Sequence, residues 1–489
     1  MQPRTTAILF VVAVLLGAFV YLYEIKGEAG REDAAAESRR IFPDVVAGEI
    51  DTLEFRTQDD RPFQSVRASD GWLIQRPVNF PGDDVNLDAI ASTLANLKSE
   101  SEIEAAGAPE IYGLGTSAKR IQFWVGEQSY TLEIGADTPV GGNVYVARGG
   151  APDTVYSVAL FRVGSFARDL DSLRDRRVLR FDRARVNRVV AGWPGGSVTL
   201  RKSEAGWEIV NPTGISGPAD AKTVDDLLSD VAFLRAEGFV DHDVDHDVEE
   251  DRAAEPYYTL RLGLDEEGLD EETPSETEGH SLEVGFLVLG DPTGADYLVR
   301  AGYPGVLYSV PRSRIDGFPR ELFSFRFKEL SNFETLDVQS FELIFNVQVE
   351  SNSSQMESVQ VDRVATGWQA VGDEWVAGAA AGLIAEFARL EAVSVVADNA
   401  SDDALAAFGL FPAQVTLRAY DASRELLAEV SLGALDPDAG ILAKALGQAV
   451  VYRLDAALAE QIPISLDALR ARFLVPAVEA AAVEEPAVE

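Results

Sequence analysis

The chain has 489 residues, no cysteine and a net charge of −39 at neutral pH, from 81 acidic and 42 basic residues. Because nucleic acid and anionic lipid headgroups are bound through clustered Lys and Arg, so negative a chain is not expected to bind either. The lack of cysteine excludes disulfides, thiolate metal sites and a thiol nucleophile, and the length suggests about three domains.

The first predicted element is an N-terminal transmembrane helix. An uncharged stretch of 19 residues begins at Thr5 and ends at Tyr23, and its length as a helix, about 28 Å, matches the hydrocarbon core of a bilayer. Arg4 precedes it and acidic residues follow it, so the positive-inside rule places the N-terminus in the cytoplasm. We therefore predict a single-pass membrane protein whose bulk is extracytoplasmic. A cleaved signal peptide is the alternative, although no clear small-x-small cleavage site directly follows the apolar run.

The rest of the chain shows one pattern three times. A Gly-Trp pair, at Trp72, Trp207 and Trp368, closes a β-type alternation of apolar and polar residues. An amphipathic helix then begins 15, 17 and 12 residues further on, with apolar residues at offsets 0, 3, 4, 7 and 10. These offsets form one helical face, which we expect to lie on the sheet that the flanking strands build. The three faces are Leu87, Ile90, Ala91, Leu94 and Leu97; Val224, Leu227, Leu228, Val231 and Leu234; and Ala380, Leu383, Ile384, Phe387 and Leu390.

Each copy continues with an alternating strand, a partner strand ending in glycine, and a basic residue eight positions before a tyrosine. Turn residues lie between the last two, so we predict a hairpin with the cation over the ring, a contact worth about 0.5–1 kcal/mol at an exposed site. A weaker helical segment closes each copy, as at 170–181 and 466–475. The cation and ring pairs are Arg148 with Tyr156, Arg300 with Tyr308, and Lys444 with Tyr452.

The repeat predicts the domain organisation. An anchor and linker at 1–40 precede modules at 41–180, 181–330 and 331–475, and an acidic tail without fixed structure occupies 476–489. Each module is long enough to own a hydrophobic core, unlike the units of a short-repeat solenoid. The predicted fold class is therefore α+β, with each module a mostly antiparallel sheet with packed helices. The acidic segment 265–279 is predicted to be a solvated loop.

Two of the three histidines, His242 and His246, lie in the aspartate-rich segment FVDHDVDHDVEED at 239–251. As a helix this segment would place both imidazoles on one face, as in a zinc pair, with His280 or an acid as third ligand. No Glu stands in the H-E-x-x-H position, and as a strand the segment would align four aspartates. The other two copies have no histidine in the equivalent connection. We therefore interpret the segment as a solvated loop, and a metal-dependent hydrolase centred on His242 and His246 is the alternative.

Other catalytic patterns are missing: the sequence has no P-loop, no G-x-G-x-x-G after a strand and no G-x-S-x-G. The sequence therefore predicts no catalytic, cofactor-binding or metal-binding residue and no cofactor. Stacking of sugars on Trp72, Trp207 or Trp368 would make the chain a cell-wall or glycan-binding protein, which is a further alternative. One strand position per module favours core packing of these rings instead.

The order of Gly-Trp strand, amphipathic helix, aromatic-Gly-Leu loop, V-T-L strand, Gly-Asp turn and V-Y-S strand resembles the bacterial family known as domain of unknown function 4340. The resemblance covers 71–182 and 206–310 and is fainter over 367–475, where the proline of the Trp-x-x-x-x-Pro pattern is absent. It implies a single-pass protein of the inner membrane, associated with ABC transport systems similar to the gliding-motility type. Other subunits of such systems supply the permease and the ATPase. We therefore expect a non-enzymatic, membrane-anchored accessory or scaffold subunit of an ABC-type assembly, with those two subunits as partners.

Overall fold

A computed structural model describes residues 39–475, except for 105–108, 117, 150–153, 216, 242–255, 265–281, 290–294, 303–305, 351–352, 366, 371–374 and 377. The predicted transmembrane segment from Thr5 to Tyr23, the three histidines, the acidic loop and the C-terminal tail lie outside the described residues. Within the described residues, no helix is long and apolar enough to cross a bilayer.

The first sheet has nine antiparallel strands. They are β1 (Ile50–Arg56), β2 (Pro62–Ala68), β3 (Gly71–Arg76), β4 (Phe80–Pro81), β5 (Ser101–Glu104), β6 (Lys119–Val125), β7 (Gln128–Asp137), β8 (Asn143–Arg148) and β9 (Thr154–Ala159). Their order across the sheet is β4-β3-β2-β1-β6-β7-β8-β9-β5. Tight turns join most neighbours, but β5, at one edge, precedes β6 in the chain and pairs with the last strand, β9.

The second sheet also has nine strands, β10 (Val186–Trp193), β11 (Gly196–Ser203), β12 (Gly206–Asn211), β13 (Gly217–Pro218), β14 (Gly238–Asp241), β15 (Tyr258–Leu264), β16 (Leu282–Leu289), β17 (Asp296–Ala301) and β18 (Val306–Pro311). Its order is β13-β12-β11-β10-β15-β16-β17-β18-β14, which repeats the first sheet strand for strand.

The third sheet has eight strands, β19 (Ser340–Glu350), β20 (Ser353–Val364), β21 (Gly367–Ala370), β22 (Ser394–Ala397), β23 (Val415–Tyr420), β24 (Leu426–Asp436), β25 (Gly440–Ala445) and β26 (Val451–Leu454). Its order, β21-β20-β19-β23-β24-β25-β26-β22, is the same except that the described residues hold no counterpart of the two-residue edge strand β4. The mostly antiparallel α+β architecture predicted from the sequence is therefore confirmed.

The described residues contain eight α-helices: α1 (Asp84–Ala95), α2 (Leu160–Val163), α3 (Leu170–Leu173), α4 (Ala221–Ala232), α5 (Arg312–Ile315), α6 (Ala379–Phe387), α7 (Asp402–Ala407) and α8 (Leu466–Arg472). Short 3₁₀ turns occupy Ala47–Glu49, Pro109–Tyr112, Gly164–Phe166, Arg183–Arg185, Leu322–Phe325 and Ala456–Glu460. Aspartates begin the long helices of the first two copies, because the Asp83 and Asp220 carboxylates accept a hydrogen bond from a free backbone N–H of the first turn.

The long helix of each copy supplies one face of a hydrophobic core. All 15 residues that the repeat predicts on these faces are buried. In the first copy they pack with β-strand residues such as Leu53 and Phe123, and in the third with Phe341 and Leu417. The prediction that α1, α4 and α6 bury these faces is confirmed for the first four positions of each, because a period of 3.6 residues is a local property that the sequence displays directly. The fifth positions, Leu97, Leu234 and Leu390, are buried but lie just past the ends of the helices.

The basic residues and tyrosines spaced eight apart do lie on the two arms of hairpins. Arg148 and Tyr156 lie on β8 and β9, and the guanidinium carbon of Arg148 is 5.6 Å from the ring centroid. In the second copy, Arg300 and Tyr308 lie on β17 and β18, and the guanidinium carbon of Arg312 lies 4.9 Å from the ring centroid of Tyr297. Lys444 and Tyr452 lie on β25 and β26.

The segments that close the first two copies are less helical than predicted. Residues 170–181 form only the single turn α3, and the chain is extended from Arg174 onward, with ψ of 145° at that residue. In the third copy the helix α8 runs on to Arg472. Arg174 therefore lies on extended chain in the first copy, whereas Arg470 lies on a helix in the third.

The chain divides into two compact units. The first comprises Met1–Val178, Leu234–Asp251 and Asp291–Arg312, and the second comprises Leu179–Phe233, Arg252–Gly290 and Ser313–Glu489. The second module is therefore shared: its strands β14, β17 and β18 belong to the unit of the first module.

Candidate functional site

The three tryptophans of the repeat each pair with a basic residue across a hairpin. Arg67 stands directly opposite Trp72 on β2 and β3, and its guanidinium carbon lies 4.4 Å from the ring. The same pairing joins Lys202 to Trp207 at 5.9 Å and Arg363 to Trp368 at 4.7 Å. The sequence contains this signal, because each basic residue comes five positions before its tryptophan. This pairing was not predicted because one basic residue in a strand does not indicate which side chain it contacts.

Burial of these rings agrees with the core interpretation. Trp72 is 2% exposed and Trp207 is 6% exposed. Trp368 is partly buried and packs on the third core, with its ring edge-on to Phe341 at 5.7 Å. The indole N–H of Trp72 donates to Asp88 at 2.9 Å, which satisfies its one polar atom. Stacking on a sugar needs a free ring face, and the two most buried rings do not offer one.

The first junction joins the end of module one to β14 through a buried arginine. The Arg174 side chain is 0% exposed, and its terminal nitrogens lie 2.9 Å from the Asp241 carboxylate and 3.4 Å from the Asp171 carboxylate. Two aromatic rings flank the guanidinium, Phe239 at 5.1 Å and Phe80 at 5.6 Å. A desolvated cation held between carboxylates and ring faces is a specific contact, since loss of either partner leaves a charge without compensation.

Backbone pairing fixes the position of this arginine. Arg174 forms an isolated antiparallel bridge with Gly82. Asp175 N donates to Pro81 O at 2.9 Å, and Asp83 N donates to Leu173 O at 2.8 Å. The segment that closes the first module therefore pairs with the chain at β4. This pairing places the Arg174 side chain within reach of β14.

The charged groups of the first junction differ in how fully their neighbours compensate them. Burial raises the pKa of the Asp171 carboxyl above its usual value, and the nearby Arg174 opposes that shift without cancelling it. The Nε of Arg174 is buried and has no hydrogen-bond partner. Asp241 receives a second, more exposed cation, Arg61, at 3.7 Å.

The second junction repeats this arrangement between the second and third modules. The Arg326 guanidinium donates to the Asp398 carboxylate, which follows β22 as Asp241 ends β14. Arg326 bridges Ala219, and Asp220 N donates to Phe325 O at 2.9 Å. The hydroxyl of Tyr452 donates to Phe327 O at 3.2 Å, and burial raises its pKa.

The third module has the same backbone bridge but no arginine in it. Leu474 bridges Trp375, and Val376 N donates to Phe473 O at 2.9 Å. Because α8 is longer than α3, its own arginine, Arg470, stays on the helix surface, where it lies 3.5 Å from Glu357. Among the described residues, a buried junction arginine occurs only where another module follows.

A lysine strengthens the second junction. Lys328 Nζ lies 2.9 Å from the Asp220 carboxylate, which also accepts from the Thr223 backbone at 3.1 Å and so caps α4. Burial is the largest influence on Asp220 and raises its pKa, but hydrogen bonds from Lys328 and Thr223 together hold the pKa below its usual value. Stability from this group is therefore present above its unfolded pKa and is lost as the pH falls through the folded value.

The Lys328→Met variant is expected to lose about 1–3 kcal/mol at neutral pH, because a charged, partly buried acceptor loses its cation. The deficit should begin to shrink as the pH falls through the usual aspartate value of 3.8, and should be lost once the pH is below the lowered folded pKa of Asp220. Urea unfolding followed by tryptophan fluorescence measures both effects. Lys222→Met is the control, since the Lys222 and Asp226 pair on α4 is largely exposed and solvent screening should leave it almost no effect on stability. Equal losses in the two variants would contradict the assigned role of Lys328.

An open cavity of about 370 Å³ lies beside this lysine within the second unit. Two carboxylates and one ammonium group give it mixed charge, and it is shallow rather than enclosed. Its walls are Thr223, Asp226, Leu227, Asp230, Gly317, Pro319, Phe323, Ser324 and Lys328.

Tyr258 is a second large, fully buried side chain with an unsatisfied polar atom. It is 0% exposed, and its hydroxyl has no hydrogen-bond partner. Rings of Phe286 and Phe318 surround it, at 6.5 Å and 5.4 Å. Burial raises the pKa of the Tyr258 hydroxyl well above its usual value of 10.0.

The Tyr258→Phe variant is therefore expected to be as stable as the natural protein or up to about 1–2 kcal/mol more stable, because it removes a desolvated hydroxyl. Since the folded pKa is raised, the natural protein should also lose stability as the pH rises above about 10, and the variant should lose less. Denaturation at neutral and alkaline pH tests this, with the Tyr257→Phe variant as control, because the Tyr257 hydroxyl bonds to Asp316 at 3.2 Å. Marked destabilisation by Tyr258→Phe at neutral pH would show that the hydroxyl has a partner.

The aspartate-rich segment is only partly a loop. Its first residues, up to Asp241, belong to the strand β14, so the loop predicted from residue 239 is wrong at its start. Phe239 packs against Phe80 and Tyr308, at 5.4 Å and 5.5 Å. His242 and His246 lie outside the described residues. Within the residues that are described, no group of three or more His, Asp or Glu side chains is placed to hold a metal ion.

The fold and junctions define a protein of tandem, mostly antiparallel α+β modules. The family model described as domain of unknown function (DUF4340) matches residues 72–261 and 218–396, and the chain belongs to this family. Each match begins in one module and ends in the next. The first contains both Arg174 and Asp241, and the second contains Arg326 and ends two residues before Asp398. No curated protein and no solved structure matches the chain.

Proposed function

We propose that this protein is a non-enzymatic, membrane-anchored scaffold or accessory subunit of an ABC-type transport assembly at the bacterial inner membrane. The apolar stem between Thr5 and Tyr23 would hold the three modules outside the cytoplasm. The observation that carries the proposal is the pair of buried junctions. They join same-fold modules in series through Arg174 and Arg326, so side chains that are rarely buried serve to connect domains.

Such a protein works by presenting surfaces. Successive modules offer repeated sheet edges and helix faces to partner subunits, while the strongly acidic surface favours partners with basic extracytoplasmic segments. The proposal assigns no catalytic residue. It assigns the ATPase and permease activities to other subunits.

Affinity purification tests this function. The full chain, cross-linked in cells and extracted in mild detergent, should recover a permease and an ATPase subunit identified by mass spectrometry. The matched control is the same stem and linker fused to an unrelated soluble domain, which should recover neither. Recovery of the full chain alone, or of the same subunits by the control, would overturn the scaffold role.

Membrane topology is tested separately with reporters fused after Glu489. Alkaline phosphatase, which is active only outside the cytoplasm, should be active, and a fluorescent protein that matures only in the cytoplasm should be dark. The opposite result would place the modules in the cytoplasm and overturn the proposed location.

A further inference from the structure

The first module exposes three large apolar side chains at one place. Val140 is 85% exposed in the turn between β7 and β8, and Leu160 and Phe161 are 44% and 79% exposed at the start of α2. Leu160 N donates to Gly142 O at 3.0 Å, so the turn and the start of the helix are adjacent. We call these three residues the apolar tip.

The fold itself does not require the apolar tip. Five residues after the repeated tyrosine, the first copy has Phe161, whereas the second has Ser313 and the third has Ala457. The second copy has an equivalent backbone hydrogen bond, in which Arg312 N donates to Ala295 O at 3.4 Å. In the third copy the turn at 436–440 reads Asp-Pro-Asp-Ala-Gly. A phenylalanine at this position is thus particular to the first module.

The apolar tip lies on the same side of the first module as Arg40, the last residue of the predicted anchor and linker. The Arg40 guanidinium donates to Ala95 O at 2.6 Å, at the C-terminal end of α1. Ser165, four residues after Phe161, hydrogen-bonds to Thr93 at 3.4 Å, at the same end of that helix. Only 15 residues separate Tyr23 from Arg39, and they span at most about 54 Å when fully extended. A stem in the bilayer would therefore hold the first module within this distance of the membrane surface.

Phenylalanine, leucine and valine are side chains that enter the boundary between headgroups and acyl chains. Arg162 lies beside them, 5.4 Å from the Phe161 ring, and a cation in that position can contact a lipid phosphate. Three side chains bury too little apolar area for independent membrane binding. Tethering changes this, because the stem makes the contact intramolecular and raises its effective concentration.

We propose that the apolar tip inserts into the surface of the phospholipid bilayer that holds the stem, and so fixes the first module against the membrane. This inference rests on the proposed membrane anchoring. It adds an interaction surface, Val140, Leu160 and Phe161, and names its occupant as a lipid surface.

The natural absence of cysteine allows single labelling sites in the full chain. Three variants, Phe161→Cys, Leu15→Cys and Phe233→Cys, are labelled with an environment-sensitive fluorophore and placed in phosphatidylcholine nanodiscs with or without doxyl-quenched acyl chains. Phe233 is a matched control, because it is 73% exposed but lies at the end of α4 in the second module. We expect several-fold stronger quenching at positions 161 and 15 than at position 233. A label at Val140→Cys should lose its quenching when Phe161→Ser, the residue of the second copy, is added.

The outcomes separate this inference from the function it rests on. Quenching at position 15 without quenching at position 161 would overturn membrane contact by the apolar tip and leave the anchor intact. No quenching at position 15 would overturn the anchor, and the inference with it. Equal quenching at positions 161 and 233 would show contact with lipid that is not specific to the apolar tip, and would overturn the assignment.

Discussion

Replacing Arg174 with alanine is expected to destabilise the first compact unit by about 3–5 kcal/mol, the usual cost of removing one partner from a buried ion pair. The guanidinium is fully buried between Asp171, Asp241 and two rings. Without it, the two carboxylates face each other across an unfilled space. The lost stability includes the packing of the arginine methylene groups as well as the interactions of its charge.

Hydrogen exchange followed by mass spectrometry measures this effect where it arises. Amides of β14 should exchange much faster in Arg174→Ala, while those of β19 and β23 in the second unit should keep their rates. Arg61→Ala is the control, because Arg61 approaches the same carboxylate of Asp241 but is 52% exposed, and should cost less than about 1 kcal/mol. Unchanged exchange at β14 in Arg174→Ala would mean that the first junction does not hold that strand.

Trp72→Ala is the second variant with a large expected effect, a loss of about 3–5 kcal/mol in the first unit. The ring fills the space between β3 and α1, and it is held by Arg67 on one face and by Asp88 at its N–H. Trp72→Phe keeps most of the volume and should lose clearly less. The control is Trp124→Ala, which also removes a tryptophan from the first sheet, because Trp124 on β6 is only partly buried.

Chemical denaturation followed by circular dichroism compares the three variants without relying on tryptophan emission. A fully stable Trp72→Ala variant would show that the ring is not a core element. The Trp72 ring of the natural protein would then be available for sugar stacking, the alternative that the sequence left open.

The sequence predicted those parts of the fold that depend on local periodicity. The apolar faces of α1, α4 and α6 repeat every three to four residues, and the Gly-Trp hairpins alternate every two, so both patterns are visible without knowing what they contact. The repeat predicts that the three modules share one fold, but the order of the strands across each sheet came only from the structure. Strand β14 was missed because its charged neighbours obscure a four-residue strand.

The junctions could not be predicted in the same way. Arg174 and Asp241 are 67 residues apart, and Arg326 and Asp398 are 72 apart. With 81 acidic residues in the chain, no pattern identifies the one that each arginine meets. A partial signal exists, because both arginines come four residues after a leucine at the end of a module. Arg470 in the third module has the same spacing from Leu466 and yet lies on a helix surface, so the spacing alone does not decide the outcome.

The placement of the junction arginines bears on how the protein can be divided into fragments. A fragment that stops at residue 180 would keep Arg174 but remove Asp241 and Phe239, and would expose Phe80. One that begins at residue 181 would leave β14 without its cation. Ending a piece at Asp241 or Asp398 is not enough either, because β14 pairs with β18 and β22 pairs with β26. A piece that preserves a junction should therefore include the whole sheet that follows it, so that no cut separates an arginine from its acid or the acid from its strand partner.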